Sequence, residues 1–357
     1  MKENRIGIAI AGGIIGIAAV ILVLMGNPLN MGFCIACFWR DLAGGIGLHR
    51  AEVVQYIRPE VIGLLLGSFI ISSIKGEFKS KGGSSTMTRF FMGVFMMIGA
   101  LVFLGCPLRA ILRLSNGDLN ALIGLIGFTF GIFIGTLFIR RGFSLGKKVE
   151  QDIISGISMP VLMFFFLVLL LVAPSFIFFS VEGPGSMHAP IFLSLAIGLI
   201  IGAIAQRVRF CTSGGIRDLF LIKNMTLFIG VIAVFLMSLI GNLIFNFENF
   251  NLGFSDQPIA HTEHIWNFIG LMLVGLSSSL LGGCPLRQTI LAGTGDFDSA
   301  SVVLGMIVGA AICHNFNLAA SPKGVPLNGK VAVLIAIAIT IIIGLVGIRK
   351  KKTDFSR

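Results

Sequence analysis

The sequence predicts an all-α polytopic membrane protein: about ten membrane segments in two inverted repeats, with broken or re-entrant helices meeting at a central waist. Three observations carry this. Of 357 residues, 55% are hydrophobic and 12% charged, where a soluble domain averages about 25% charged. Apolar runs of membrane-crossing length recur from end to end. Two pairs of motif stretches also repeat at one spacing along the chain.

A helix needs about 17 to 25 apolar residues to cross a hydrocarbon core of about 30 Å. Such runs fall at 6–25, 52–74, 89–105, 119–139, 158–180, 189–206, 224–246, 265–283, 298–318 and 330–348. The first is followed by Gly26-Asn27-Pro28 without a small-residue cleavage pattern, so it reads as a retained helix and not a removed signal. No stretch is long and polar enough for a separate soluble domain.

The net charge of +11 would suit nucleic acid in a soluble protein, but in a membrane protein Lys and Arg are a topology signal. With ten spans, the N-terminus (Lys2, Arg5), the loop with Lys75, Lys79, Lys81 and Arg89, the loop with Arg140, Arg141, Lys147 and Lys148, the segment with Arg207, Arg209, Arg217 and Lys223, and the tail from Arg349 to Arg357 share one side. They hold 19 of the 27 basic residues. That side is expected to be cytoplasmic, both termini included. The opposite loops, VEGPGSMHAP and NFENFNLGFSDQPIAHTEH, carry acids and no Lys or Arg. Arg40, Arg109 and Arg287 depart from this pattern, since they sit where helices break at or near membrane depth. An intramembrane Arg costs about 2.5 to 3.5 kcal/mol on insertion scales, so it should face protein or water; snorkelling to the interface is the other reading.

The repeated stretches begin with LGCPLRAILRLSNGD at 104–118 and GGCPLRQTILAGTGD at 282–296. A second pair, GFCIACFWRD at 32–41 and RFCTSGGIRD at 209–218, matches Phe33, Cys34, Arg40 and Asp41 with Phe210, Cys211, Arg217 and Asp218. The offsets are 177 for the second pair and 178 for the Cys-Pro-Leu-Arg block. Residues 1–180 and 181–357 therefore read as two copies of one unit within a single membrane domain. Five spans, an odd number, separate equivalent points, so the copies should be inverted about an axis in the membrane plane, with their broken helices facing each other near the midplane.

Pro107 and Pro285 each remove an amide donor and push the preceding residue out of helical geometry. Cys106 and Cys284 should thus sit between a half-helix and an extended turn, tolerated at that depth only around a protein-lined or watery cavity. Half-helix N-termini and arginines attract an anion. Thiols add soft, weakly donating S–H groups from which the anion can leave again. The candidate path residues are Cys34, Cys106, Cys211, Cys284, Arg40, Arg109, Arg217 and Arg287, with Cys37, Asp41 and Asp218 as secondary candidates. Asp41 and Asp218 could neutralise the adjacent arginines or simply form structural salt bridges.

Cys34 and Cys37 form a CxxC, which elsewhere serves as a redox pair or half a metal site. The second copy has Gly214 in place of Cys37, so no four-ligand metal set exists, and no metal or cofactor is expected. Cys313 reads as an inert buried cysteine. His261 and His264 fall in an outer loop, where solvated side chains are expected. The aspartates are expected to serve turns and caps, Asp118 and Asp296 as helix N-caps.

Cysteine stretches of the form GFCxxCxxRD and GCPLR, duplicated across a small polytopic chain, resemble the YeeE/YedE family of sulfur-transport membrane proteins, in particular its selenium-metabolism subgroup. The resemblance covers nearly the whole chain. It implies an hourglass-shaped protein of the bacterial inner membrane that takes up a thiosulfate-like ion, passing it along thiols by transient hydrogen bonds. Carried over by position, those thiols are Cys34, Cys106 and Cys284; Cys211 joins them by repeat symmetry. The partners expected are a small sulfur- or selenium-containing anion, the lipid bilayer and a cytoplasmic sulfur or selenium carrier protein, and no nucleic acid. The chain is expected not to be an enzyme; the alternative is a membrane thiol oxidoreductase or sulfur/selenium transferase in which Cys34 and Cys37 cycle through a disulfide.

Overall fold

The computed structural model describes residues 2–354, with side chains described over 5–348. Lys2 and the basic tail from Arg349 to Arg357, which entered the orientation expectation, lie outside the described side chains. The helices are α1 (Lys2–Leu24), α2 (Ile35–Gly45), α3 (Pro59–Ile74), α4 (Thr86–Phe103), α5 (Pro107–Ser115), α6 (Leu119–Arg140), α7 (Ile153–Val172), α8 (Ile191–Arg207), α9 (Thr212–Ile222), α10 (Thr226–Phe245), α11 (His264–Leu281), α12 (Pro285–Gly293), α13 (Phe297–Asn315) and α14 (Leu327–Asp354). Ten stretches are long and apolar enough to cross a bilayer. The protein is an all-α, multi-pass membrane protein, as expected. A short antiparallel pair, β1 (Lys81–Gly82) against β2 (Val149–Glu150), is the one sheet among the described residues.

Seven helices precede residue 181 and seven follow it. Lengths match across the sequence-matched stretches: α2 and α9 have 11 residues each, α4 and α11 have 18, α5 and α12 have 9. The long helices make their largest contacts across the halves. α1 lies on α10, α3 on α8, α4 on α13, and α6 on α11.

Small residues drive these contacts. Lipid tails are as apolar as leucine, so helices in a bilayer associate through close packing, which glycine permits. A Cβ at Gly67 would stand 2.1 Å from the Leu199 carbonyl oxygen, and one at Gly202 2.1 Å from that of Leu64. On the α6–α11 seam a Cβ at Gly131 would meet the Met272 carbonyl at 2.0 Å. The backbones touch there, and no larger residue fits without parting them.

Helix seven departs from the expected span of 158–180. It ends at Val172, where Ala173 takes a left-handed conformation (φ 46°) ahead of Pro174. The segment after it is sewn to the connection between α2 and α3: the Phe178 amide donates to Gly45 O (2.8 Å), Ser180 to Gln55 O (2.8 Å) and Gly185 to Val53 O (2.8 Å). Apolar Phe178 and Phe179 made this stretch look like membrane; backbone pairing across the mouth of the protein uses it instead.

Candidate functional site

Four short helices carry the cysteine motifs, and local sequence sets each start. α4 stops as Leu104 (φ 67°) and Gly105 (φ 158°) leave helical space, Cys106 is extended (φ −83°, ψ 169°), and Pro107 opens α5. α11 stops at Gly282 (φ 82°), Cys284 is extended (φ −70°, ψ 171°), and Pro285 opens α12. Proline suits a first helical turn, where its missing N–H has no intrahelical partner to lose. The helix breaks expected at the Cys-Pro steps are therefore present.

Cys34 and Cys211 are the N-caps of α2 and α9. Cys34 Sγ accepts the Cys37 amide at 3.3 Å, and Cys211 Sγ accepts the Gly214 amide at 3.2 Å. The fold then gathers the thiols in twos. Cys34 and Cys106 are neighbours at the N-caps of α2 and α5. The sulfurs of Cys211 and Cys284, at the N-caps of α9 and α12, are 3.8 Å apart. Each pair thus joins two helix N-termini, whose free amides and dipoles favour negative charge. All four cysteines are buried.

The arginines behave differently from one another. Arg109 is wholly buried and, among the described residues, has no carboxylate within 4.0 Å. Its Nε donates to Asn30 O (2.8 Å), Nη2 to Ile259 O (3.3 Å) and Nη1 to Cys37 Sγ (3.2 Å). Both carbonyls come from residues in left-handed backbone, Asn30 (φ 59°) and Ile259 (φ 50°). This is a full positive charge beside the first thiol pair, balanced only by dipoles. Arg287 is half-buried and donates to Gln206 Oε1 (3.2 Å).

Arg40 and Arg217 each meet a carboxylate. Arg40 pairs with Asp41 at 2.6 Å and Arg217 with Asp218 at 3.0 Å. Asp41 and Asp218 are therefore ion-pair partners inside α2 and α9, in line with the salt-bridge reading of these two residues and not the turn or cap reading. Asp41 also holds Arg58 (2.7 Å), whose other nitrogens bond the carbonyls of Met187 and Pro184. Asp118 and Asp296 are N-caps as expected, accepting the amides of Asn120 (2.9 Å) and Ser299 (3.1 Å). Each Gly-Asp turn is clasped from the other half. Gly253 bridges Gly117 and Leu119, while the Lys79 and Lys81 amides donate to Thr294 and Gly295.

Several participants had no clear sequence signal. Arg113 pairs with Asp118 at 2.6 Å, both fully buried, whereas Asp296 takes Lys148 from the β2 loop. Arg113 follows Arg109 by one helical turn, which was visible, but position 291 in the second copy is Leu, so the repeat concealed it. Trp39 Nε1 donates to Thr289 Oγ1 at 3.1 Å, tying α2 to α12. At the matching positions stand Ile216 and Ile111, which line an apolar cavity of roughly 260 Å³ together with Thr212. His261, expected to be solvated, is 2% exposed and bonds Val102 O at 2.9 Å. Cys313 is buried and apart from both pairs.

Residues 207–352 match the family model described as sulphur transport. The resemblance to sulfur-transport membrane proteins is borne out over these residues, in the second half of the chain; the selenium-metabolism subgroup stays an expectation. The matched region takes in Cys211, Cys284, Arg217 and Arg287. A thiosulfate transporter of Escherichia coli (strain K12), TsuA, is 27% identical over 129 residues, a stretch covering 36% of each chain. The chain therefore aligns with about a third of that relative's length.

Proposed function

We propose that this protein moves a thiosulfate-like anion across the bacterial inner membrane through a waist lined by its two thiol pairs. The observation that carries this is the burial of Arg109, unneutralised by any carboxylate, beside thiols placed at helix N-termini. Charge and dipoles draw a divalent anion in; S–H groups, being weak donors, bond it without trapping it. Cys34 and Cys106 form one station and Cys211 and Cys284 the other. The two halves are inverted copies, so the stations lie on opposite sides of the waist, each nearer one face of the membrane.

Orientation follows from charge. The loops with Lys79, Lys81, Lys147 and Lys148 are joined by the β1–β2 pairing, and Arg207 reaches Glu77 at 2.7 Å, so these basic residues share one end of the protein. By the positive-inside rule that end is cytoplasmic, as are both termini. The similarity to the sulphur-transport model and to a thiosulfate transporter supports sulfur over other anions. Selenium oxyanions, small and negatively charged, suit the same attraction, and a cytoplasmic carrier protein accepts the cargo at the basic end.

The test is uptake of radiolabelled thiosulfate by cells lacking their own importers, with selenite offered in parallel. Wild type should accumulate label, and Cys106→Ala and Cys284→Ala should each cut the rate at least tenfold. Unchanged uptake in both variants would exclude the thiol path. Turnover of thiosulfate to another sulfur species by purified protein would favour a transferase.

A further inference from the structure

The second thiol pair has a property that its counterpart lacks. Cys211 and Cys284 stand in sulfur-to-sulfur contact at 3.8 Å, with Ser213 Oγ 3.3 Å from Cys211 Sγ and the Gly214 amide at 3.2 Å. Both cap helices, and a helix N-terminus favours the thiolate, the nucleophilic form. Arg287, two residues inside α12 and without a carboxylate partner among the described residues, adds positive charge. In the first half three thiols lie together: Cys34 accepts the Cys37 amide and neighbours Cys106, and Cys37 accepts from the Arg109 guanidinium. Gly214 occupies the position of Cys37, so no third thiol lies beside the second pair to reopen a bond by exchange.

We infer that Cys211 and Cys284 are an oxidisable dithiol, converted by a polythionate into a disulfide that shuts the anion path. The shutting rests on the transport reading above; the disulfide does not. Bonded sulfurs lie about 2.05 Å apart, so from 3.8 Å the two must approach by about 1.8 Å. With tetrathionate the chemistry balances. The Cys211 thiolate attacks a central sulfur, breaking the central S–S bond and expelling one thiosulfate, which leaves Cys211 as a thiosulfonate adduct. The Cys284 thiolate then attacks Cys211 Sγ, forming the disulfide and expelling a second thiosulfate. Two thiols lose two electrons and two protons, tetrathionate gains the two electrons, and the protons pass to water. The product has no S–H donor at this station and ties the first turn of α9 to that of α12.

The experiment uses purified full-length protein, exposed to tetrathionate, denatured, and labelled with a polyethylene-glycol maleimide. Of six cysteines, four should remain taggable, and peptide mass spectrometry should join Cys211 to Cys284. Cys313→Ala should keep this disulfide and show three tags. Cys284→Ser should yield no joined peptide and instead a stalled thiosulfonate on Cys211. Six tags in wild type, or a disulfide linking Cys34 to Cys37 or Cys106, overturns the assignment. In proteoliposomes the oxidant should lower thiosulfate uptake at least tenfold and dithiothreitol restore it; a formed disulfide with unchanged uptake overturns the gate. Absent uptake in untreated vesicles would refute the cargo, while the tag count still reads the dithiol.

Discussion

Gly67→Ala should destabilise the protein, although alanine is the better helix former. A Cβ at Gly67 would stand 2.1 Å from Leu199 O, where ordinary contact begins at 3.4 Å, so α3 and α8 must part by 3.4 − 2.1 = 1.3 Å at that point. A gap of about 0.5–1 Å already forfeits a quarter to a half of a dispersion contact, and the parting spreads along the seam to Gly63, Gly198 and Gly202. Overpacking costs about 1–3 kcal/mol, against a helix-propensity gain of about 0.5–1 kcal/mol. The net expectation is a loss of about 1–2 kcal/mol. Gly7 on α1 has nothing within 4 Å of its would-be Cβ, so Gly7→Ala should gain up to about 1 kcal/mol. Reversible SDS unfolding in mixed micelles, read by the fluorescence of Trp39 and Trp266, measures both. Gly67→Ala as stable as Gly7→Ala would refute the close-packed seam.

Arg113→Met leaves the fully buried Asp118 unpaired and should cost about 3–5 kcal/mol; adding Asp118→Asn should recover most of it in the same unfolding assay. Arg109→Gln keeps donors for the Asn30 and Ile259 carbonyls but removes the charge, so thiosulfate uptake should show KM raised about tenfold or more, corresponding to about 1.4 kcal/mol of binding, with little change in melting temperature. Burial, reinforced by nearby Arg113 and opposed by the bond to Val102 O, holds His261 below its ordinary value. Its unfolded form, with a pKa of about 6.5, then binds a proton that the folded form refuses, so stability is retained above that pH and falls as pH drops below it. Melting curves from pH 7.5 to 5.5 should fall for wild type and fall less steeply for His261→Gln.

Helix placement was largely legible because apolar length is a one-dimensional property. So were the breaks at Cys106 and Cys284, since glycine followed by Cys-Pro dictates backbone geometry locally. Cap roles for Asp118 and Asp296 follow for the same reason. What stayed hidden depends on neighbours distant in sequence. Nothing around Asp41 announces that Arg58 will share it, and His261 looks like a loop residue until Val102 is found beneath it. The loop from 173 to 190 was misjudged because phenylalanines facing a protein mouth and phenylalanines facing lipid read alike. Repeat symmetry helped with residues present in both copies and misled about those present in one, such as Arg113, Trp39 and Cys37.

The crosswise pairing of α1 with α10, α3 with α8, α4 with α13 and α6 with α11 bears on how the molecule comes into being. During synthesis the first seven helices emerge with glycine grooves that only later helices can fill. They must wait in the bilayer as an open half-shell, sealed when the rest of the chain arrives. Neither half should then persist alone, yet the two halves co-expressed as separate chains should find each other and assemble, because the seam that joins them is the core itself.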